Sequence, residues 1–465
     1  MLKIANHYVS KIAFALLLVE IAIFIASAYL APSIRFLSSQ ELGLSANEYY
    51  FSTALIFALI MVFSMTALGM YQPNHYEGIR STLMRLMPSL GLGFVLVILV
   101  FYVLPELYVG RGVLGIMLLL SGVGVLLVRL LLLTSARARL LESRIMFVGA
   151  GALAQECAEL VQNNPSYSHY HIVGYVPMPN EEHQVPAKDV LPVGKPLVEM
   201  ANGYKASEIV VAVMNRRGGG FPIKELLDCK LAGVKVIDAA TFFEREASQI
   251  RVDSLQPSWF VFGNGFEQGF VRAFFKRVFD LLVSLLIFVV TLPLTVITAL
   301  WIYFEDRGPI FYQQERVGED GNLFNVLKFR SMRVDAEKNG APQWASKHDP
   351  RTTTIGRIIR KVRIDEIPQV INVLRGDMSF VGPRPERPFF VEQLCQEVPY
   401  YNMRHSIKPG ITGLAQVRYP YGASMHDAVQ KLQYDLYYVK NNSLFLDLLI
   451  LFETLQVVLF GKGGR

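Results

Sequence analysis

Two adjacent carboxylates stand in the run Asp365-Glu366-Ile367-Pro368-Gln369. Arg357, Arg360 and Arg363 come just before them, and Gly382-Pro383-Arg384-Pro385 follows. A carboxylate can act as a nucleophile in group transfer. Arginine carries a planar fork that matches phosphate oxygens, and a Gly-Pro-Arg-Pro turn is rigid enough to hold its arginine in one place. Proline is tolerated in the first turn of a helix, where the N–H it lacks has no partner anyway. The spacing therefore predicts Asp365 near a helix N-cap and Glu366 in the first turn, where the helix dipole favours anions and keeps Asp365 ionised. Taken alone, the dipeptide fits an ordinary acidic cap equally well. Upstream, Lys328-Phe329-Arg330-Ser331-Met332 supplies two more cations. Each of these alone also suits a solvated face or a lipid head group. Mg2+ is usually bound by one or two carboxylates plus substrate phosphates, which makes Glu366 the candidate metal ligand.

Roughly 60 residues before the carboxylates lies an apolar stretch, Val278 to Phe304, long enough to cross a bilayer. Pro293 sits in its middle and removes a helix hydrogen bond. Lys276 and Arg277 precede the stretch, and Arg307, Arg316, Lys328 and Arg330 follow it. Cations on both sides and a central proline predict a broken segment that enters the membrane and returns to the same face. The other reading is a fifth spanning helix with a proline kink. A last apolar stretch, Leu444 to Phe460, is interrupted by Asp447, Glu453, Thr454 and Gln456. It reads as an interfacial or core helix, with Lys462 and Arg465 at head-group level.

The chain has 465 residues, of which 52% are apolar and 18% charged, with a formal net charge of +6. That mixture predicts a membrane protein with sizeable water-facing parts. Its three cysteines, Cys157, Cys229 and Cys395, lie far apart with no CxxC spacing. They provide neither a disulfide framework nor a zinc site, so a reducing compartment is expected. No nucleic-acid partner is expected.

Four early stretches are long and apolar enough to span: Ile12 to Leu30, Tyr50 to Met70, Leu86 to Leu104 and Val113 to Leu133. Lys3 and Lys11 precede the first, Arg80 and Arg85 separate the second from the third, and Arg137, Arg139 and Arg144 follow the fourth. The remaining loops carry only Arg35 and Arg111. This bias puts the N-terminus, the middle loop and everything after Leu133 in the cytoplasm. Glu20 and Arg129 fall within or at the edge of spans, which hints at function or at one helix satisfying another.

From Arg144 the texture becomes soluble α/β, with strands expected near Arg144 to Val148, His171 to Val176, Glu208 to Val213 and Val234 to Ile237. Gly149, Gly151 and Ala154 match G-x-G-x-x-G/A after the first strand, a turn that aims N–H groups at a pyrophosphate. No acidic residue closes the second strand, where Val176 and Pro177 stand, so the favoured reading is a Rossmann-like turn without a dinucleotide. The Gly-rich aromatic stretch from Ser258 to Phe270 reads as an inter-domain joint. The predicted organisation is a four-helix transmembrane bundle (1–140), a Rossmann-like α/β domain (141–265) and a mainly α catalytic domain (266–465) whose re-entrant helix covers 276–304.

The C-terminal motifs, taken in order, resemble the bacterial sugar transferase family of monotopic phosphoglycosyl transferases. They are Lys276-Arg277-x-Phe279-Asp280, the proline-interrupted helix, Gln314-Glu315-Arg316-Val317-Gly318, Lys328-Phe329-Arg330-Ser331-Met332, Asp349-Pro350-Arg351, Gly356-Arg357, Asp365-Glu366-x-Pro368-Gln369, Gly376-Asp377-Met378-Ser379, Gly382-Pro383-Arg384-Pro385, Pro409 to Gln416 and Asp435-x-Tyr437-Tyr438. The spans and α/β domain before them are similar to the large polyprenyl-phosphate hexose-1-phosphate transferases. The chain departs at Leu292-Pro293, where many members have Ser-Pro.

The resemblance implies two-step transfer of a sugar 1-phosphate from a UDP-sugar to polyprenyl phosphate, with release of UMP and a phosphosugar held on Asp365. It implies Mg2+ on Glu366 and phosphate or substrate contacts from Arg360, Arg384, Lys328, Arg330 and Gln369. It also implies an active site on the cytoplasmic face of the bacterial inner membrane, serving surface-polysaccharide assembly. Four accessory spans beside a domain of unclear ligand suggest a homo-oligomer. Two rival readings stay open. An NAD-dependent nucleotide-sugar oxidoreductase or epimerase is disfavoured, because the α/β domain has no Tyr-x-x-x-Lys pair. A non-catalytic scaffold would tolerate Asp365→Asn.

Overall fold

The computed structural model describes residues 2–35, 47–71, 79–137, 143–163, 170–179, 181–214, 221–252, 265–266, 269–334, 351–420, 422 and 424–460. Arg139, most of the 258–270 joint, Asp349, Lys462 and Arg465, all named above, lie outside them. The chain divides into two units: one holds Met1–Leu2 and Tyr8–Ala247, the other Lys3–His7 and Ser248–Arg465.

In the first unit, α1 (Lys11–Arg35), α2 (Asn47–Ala67), α3 (Ile79–Val103) and α4 (Arg111–Arg137) pack as a closed ring of neighbours. The first, third and fourth are long and apolar enough to cross a membrane, and the apolar part of α2, Phe51–Ala67, is shorter. Phe24, Phe57, Met61, Met65, Val97 and Val125 fill the centre, while Leu18, Leu59, Leu99 and Leu127 face outward. Helices apolar on every side suit a lipid surround. A Cβ on Gly93 would lie 2.5 Å from Met61 Sδ, and one on Gly124 would lie 2.7 Å from Ile23. Small residues thus let these helices approach closely. Glu20 and Arg129 pair inside the bundle: Arg129 Nε donates to Glu20 Oε1 at 2.8 Å and Nη1 donates to the Met70 carbonyl at 3.0 Å.

Two short strands, β1 (Leu2–Ile4) and β2 (His7–Val9), precede α1, and the first unit carries a four-stranded parallel sheet in the order β4-β3-β5-β6. Its strands are β3 (Ser143–Val148), β4 (Tyr170–Val176), β5 (Glu208–Val211) and β6 (Lys235–Asp238), close to the expected positions. The central β3 is flanked on both sides, so Met146, Phe147 and Val148 are fully buried. Helices α5 (Ala152–Gln162), α6 (Leu197–Gly203), α7 (Ile223–Leu231) and α8 (Ala239–Ala247) alternate with the strands. This is the doubly wound pattern that the alternation predicts.

The second unit opens with α9 (Phe270–Asp306), 37 residues long. The chain is helical on both sides of Pro293, with no non-helical gap at the proline. One proline costs the helix a single hydrogen bond. Two residues before it, the Thr291 hydroxyl donates back to the Ile287 carbonyl at 2.7 Å. A straight helix of this length would run about 55 Å. Both of its ends pack on the same unit. Near the start, Arg277 donates to the Val373 and Leu374 carbonyls at 2.6 and 2.9 Å. Near the end, Glu305 accepts the Thr354 amide at 2.9 Å, and Ile302 packs with Phe329, Ile355 and Ile359. Between them, Leu282, Leu286, Val289, Val290 and Ile297 are exposed.

The hairpin β7 (Phe311–Val317) and β8 (Leu323–Phe329) follows, then α10 (Thr354–Lys361), α11 (Gln369–Arg375), β9 (Ser379–Val381), α12 (Pro388–Glu397), β10 (Gly410–Thr412), α13 (Leu414–Arg418), α14 (Met425–Asn441) and α15 (Leu444–Phe460). α15 is a core helix along its first half, with Leu446 and Ile450 fully buried. Its polar interruptions find partners: Arg418 grips Glu453 with two bonds of 3.1 and 2.7 Å, and Thr454 meets Thr412 at 2.7 Å.

Candidate active site

The two carboxylates sit in a short 3-10 turn, Ile364–Glu366, between α10 and α11. α10 is capped by the Thr353 hydroxyl, which accepts the Gly356 amide at 2.9 Å. Gly356 is required there, because a Cβ would lie 2.0 Å from the Ser331 carbonyl oxygen. After α10, Arg363 takes a left-handed conformation (φ 60°) and reverses the chain. α11 begins only at Gln369, with Pro368 as its flanking residue. The expectation that Asp365 caps the helix is therefore corrected: the carboxylates precede it by a turn, because Arg363 and the 3-10 turn consume those residues first.

Asn372 fixes that turn against the hairpin. Its side chain accepts the Leu327 amide at 2.9 Å and donates to the Asn325 carbonyl at 2.8 Å, which pins α11 to β8. On the facing strand, Tyr312 pairs in register with Lys328 and Gln314 with Val326, so Lys328, Tyr312 and Gln314 share one face.

Three cations converge on one oxygen. Glu366 Oε1 lies 2.9 Å from Arg384 Nη2, 3.5 Å from Lys328 Nζ and 3.6 Å from Arg363 Nη1. Burial alone pushes Glu366 up, but Arg384, Lys328 and Arg363 outweigh it and hold the carboxylate well below the usual range. Burial pulls the Lys328 ammonium down, against the pull of Glu366.

Asp365 is buried, and its Oδ1 has no hydrogen-bond partner. Burial, then the Glu366 charge, raises its pKa, while Lys328, Arg360 and Arg363 act in the opposite direction. The sequence-based expectation that a helix terminus keeps Asp365 ionised is thus corrected. α11 begins four residues beyond it, and burial dominates.

Arg384 is held from behind. Arg404 donates to its carbonyl at 2.9 Å and is itself fixed by Asp435 at 2.7 Å and Tyr401 at 2.6 Å. Arg316 donates to the next carbonyl, that of Pro385, at 3.0 Å. The turn rests on the parallel pair β9–β10, where Gly382 and Gly410 cross so closely that a Cβ on Gly410 would lie 2.1 Å from Gly382 N.

The structure therefore brings Asp365, Glu366, Lys328 and Arg384 together, with Arg360 half-buried at the end of α10 and Gln369 buried at the start of α11. Arg330 goes elsewhere: its guanidinium bonds Asp306 at the end of α9 and packs against Gly308. Asn372 and Arg404 were missed, because the bonds by which they act on the site, to Leu327 and to the Arg384 carbonyl, span 45 and 20 residues, which no local pattern reveals.

Among the described residues no three acidic, histidine or cysteine side chains gather to hold a metal. The donor chemistry still fits Mg2+ shared with a substrate diphosphate. Glu366 stays ionised, and beside it Asp365 Oδ1 is buried without a partner.

In the α/β domain, Gly149 has φ 114°, and a Cβ there would lie 2.4 Å from the Ala212 carbonyl oxygen. The turn at Gly149, Gly151 and Ala154 is already occupied. Glu181 accepts the Ala150 amide at 2.8 Å, and its Oε1 lies 2.7 Å from where a Gly151 Cβ would be. A carboxylate of the chain itself thus takes one of the N–H groups that the turn offers.

Comparison with known proteins points the same way as this geometry. The family model described as bacterial sugar transferase matches residues 271–461, and one described as CoA-binding domain matches 66–218. A UDP-N-acetylgalactosamine-undecaprenyl-phosphate N-acetylgalactosaminephosphotransferase from Aeromonas hydrophila is 49% identical over 173 residues, 37% of this chain and 41% of that protein. The chain thus matches about two-fifths of that relative's length. A putative undecaprenyl-phosphate N-acetylgalactosaminyl 1-phosphate transferase from Bacillus subtilis (strain 168) is 50% identical over 26% of this chain and 67% of its own length. An exopolysaccharide production protein from Rhizobium leguminosarum bv. phaseoli is 41% identical over 39% of this chain and 93% of its own length.

Proposed function

This chain belongs to the bacterial sugar transferase family, and from that membership we propose that it transfers a sugar 1-phosphate from a UDP-sugar to polyprenyl phosphate. The observation that carries the reading is the pairing of an unpartnered, buried Asp365 oxygen with a Glu366 carboxylate held by Arg384, Lys328 and Arg363.

In the first step an Asp365 carboxylate oxygen attacks the sugar-bearing phosphorus of the donor. The new bond is aspartyl oxygen to phosphorus. The bond from that phosphorus to the bridging oxygen breaks, and UMP departs with the electron pair. In the second step a phosphate oxygen of the polyprenyl phosphate attacks the same phosphorus and frees Asp365. Arg384 and Lys328 stabilise charge on the diphosphate oxygens, and Arg360 adds a third cation whose field reaches Asp365. Bound Mg2+ would neutralise the diphosphate and ease departure of UMP, with Glu366 as its protein ligand. The site excludes water through the buried setting of Asp365, which limits hydrolysis of the intermediate.

The lipid acceptor calls for a site at the membrane surface. α9 supports one, since its two ends rest on a single folded unit while its middle is apolar and exposed. A helix crossing about 30 Å of hydrocarbon would put its ends on opposite sides. Exposed Phe270, Phe274 and Phe275 near one end and Trp301, Tyr303 and Phe304 near the other fit a shared interfacial level. We place the helix as re-entrant and the site on the cytoplasmic face of the bacterial inner membrane, where the flanking cations point. The transfer would open assembly of a surface polysaccharide.

The test is UMP release by purified protein with Mg2+, polyprenyl phosphate and a panel of UDP-sugars that includes UDP-N-acetylgalactosamine, UDP-glucose and UDP-galactose. Release with one donor, lost in Asp365→Asn, is expected. Release that persists in the variant would remove Asp365 from the reaction.

A further inference from the structure

Three residues at the start of α9 hold both segments that build the active site. Lys276 Nζ donates to the Val381 carbonyl at 3.2 Å, to the Tyr438 hydroxyl at 3.2 Å and to Asp447 Oδ2 at 2.8 Å. Asp280 Oδ1 accepts the Ser379 hydroxyl and the Phe380 amide, both at 3.0 Å. Together they grip β9, which leads through Gly382 and Pro383 to Arg384. Arg277 bonds the Val373 and Leu374 carbonyls, capping the C-terminal end of α11. That helix starts three residues after Glu366.

A cation at the mouth of a membrane helix is ordinarily an anchor for lipid phosphates. Lys276 does not fit that role. An ammonium has three donors, and here all three have protein acceptors. The Tyr438 hydroxyl, which also reaches the Val381 carbonyl at 3.0 Å and Asp447 Oδ1 at 2.6 Å, closes the network. From Leu281 onward the same helix turns outward and exposes Leu282, Leu285 and Leu286.

We propose that Lys276 and Arg277 are positioning residues through which the seating of α9 sets the approach of Arg384 to Glu366. Lys276 governs the Arg384 side of that contact and Arg277 the Glu366 side. The inference rests on the transfer reaction proposed above for its kinetic readout, and it has a second readout that does not.

The experiment compares the full-length wild type with Lys276→Met and Lys276→Arg, all in the same lipid nanodiscs. Lys276→Met keeps the length of the side chain and removes the charge. It is expected to lower kcat for UMP release tenfold or more, with KM for the donor within twofold. Lys276→Arg is expected to recover most of kcat. Amide hydrogen exchange across 379–384 should accelerate in Lys276→Met and return toward wild type in Lys276→Arg. Unchanged kcat and unchanged exchange would overturn the proposal, as would a raised KM with kcat intact, which would make Lys276 a substrate contact. If Lys276→Met fails to fold, Tyr438→Phe removes one bridging hydroxyl and is read by the same two measurements. A wild type that releases no UMP would defeat the transfer reading, and the exchange measurement would still decide the positioning role.

Discussion

Arg384 donates to Glu366 Oε1 at 2.9 Å across a gap of 18 residues in sequence, and Lys328 reaches the same oxygen from a β-hairpin. The carboxylate therefore organises cations that would otherwise repel one another. Its folded-state pKa is depressed, so its contribution to stability is present above the ordinary carboxylate range and is lost only as pH falls through the lower folded value. Glu366→Gln should cost roughly 2 kcal/mol at pH 7. Thermal unfolding of the solubilised protein should show that loss at pH 7, and added inorganic phosphate should restore part of it. A variant as stable as wild type at pH 7 would contradict the cluster.

Asp365 behaves in the opposite sense. Its folded-state pKa is raised by burial, so the folded protein binds its proton more tightly than the unfolded chain does. Stability from this group is present at low pH and is lost as pH rises through the folded value. Asp365→Asn should accordingly leave the melting temperature at pH 7 unchanged or higher while abolishing transfer. The acid limb of kcat should lie above the pH of an ordinary aspartate. Lys328→Met, which removes a cation that lowers this pKa, should move the limb higher still. A limb at or below the ordinary aspartate range would argue that Asp365 does not need to ionise for the reaction.

Gly410→Ala places a Cβ where Gly382 N already lies, 2.1 Å away, with backbone on both sides of the clash. Neither strand can yield without moving the Arg384 turn. A loss of about 3 kcal/mol with loss of activity is expected. Gly203→Ala in α6, with nothing within 4 Å of the new Cβ, serves as the control and should be neutral or slightly stabilising.

In the α/β domain, Glu181 takes the Ala150 amide of the glycine turn. Millimolar NAD or CoA should leave the melting temperature of the wild type unchanged. Glu181→Ala frees the Ala150 amide and should make the protein responsive to pyrophosphate. A shift in the wild type with either ligand would show that Glu181 yields to it.

Local chemistry was legible in the sequence, and distant partnership was not. The alternation of apolar strands located β3 to β6 to within a few residues, because a buried parallel strand must be apolar along its length. Asp365, Glu366, Lys328 and Arg384 were singled out by residue type, and the fold does bring them together. Arg330 followed the same reasoning and went to Asp306, since two cations separated by one residue at the end of a strand need not share a target. Lys276 read as a membrane flank, while its partners Val381, Tyr438 and Asp447 lie 105 to 171 residues away. The N-terminal residues 3–7 likewise fall in the second unit, where His7 meets the Tyr437 hydroxyl at 2.7 Å. Burial holds that imidazole down to about 3, so it stays neutral, and nothing in its neighbouring sequence announces the contact.

The central claim is a covalent phosphosugar on Asp365. The direct measurement is peptide mass spectrometry of purified protein quenched in acid after incubation with its UDP-sugar and Mg2+, without polyprenyl phosphate. The account predicts a mass increase of one phosphosugar on the peptide containing Asp365. That adduct should be absent in Asp365→Asn and should disappear when polyprenyl phosphate is added before the quench. Turnover with no adduct on that peptide, or an adduct on another residue, would contradict it.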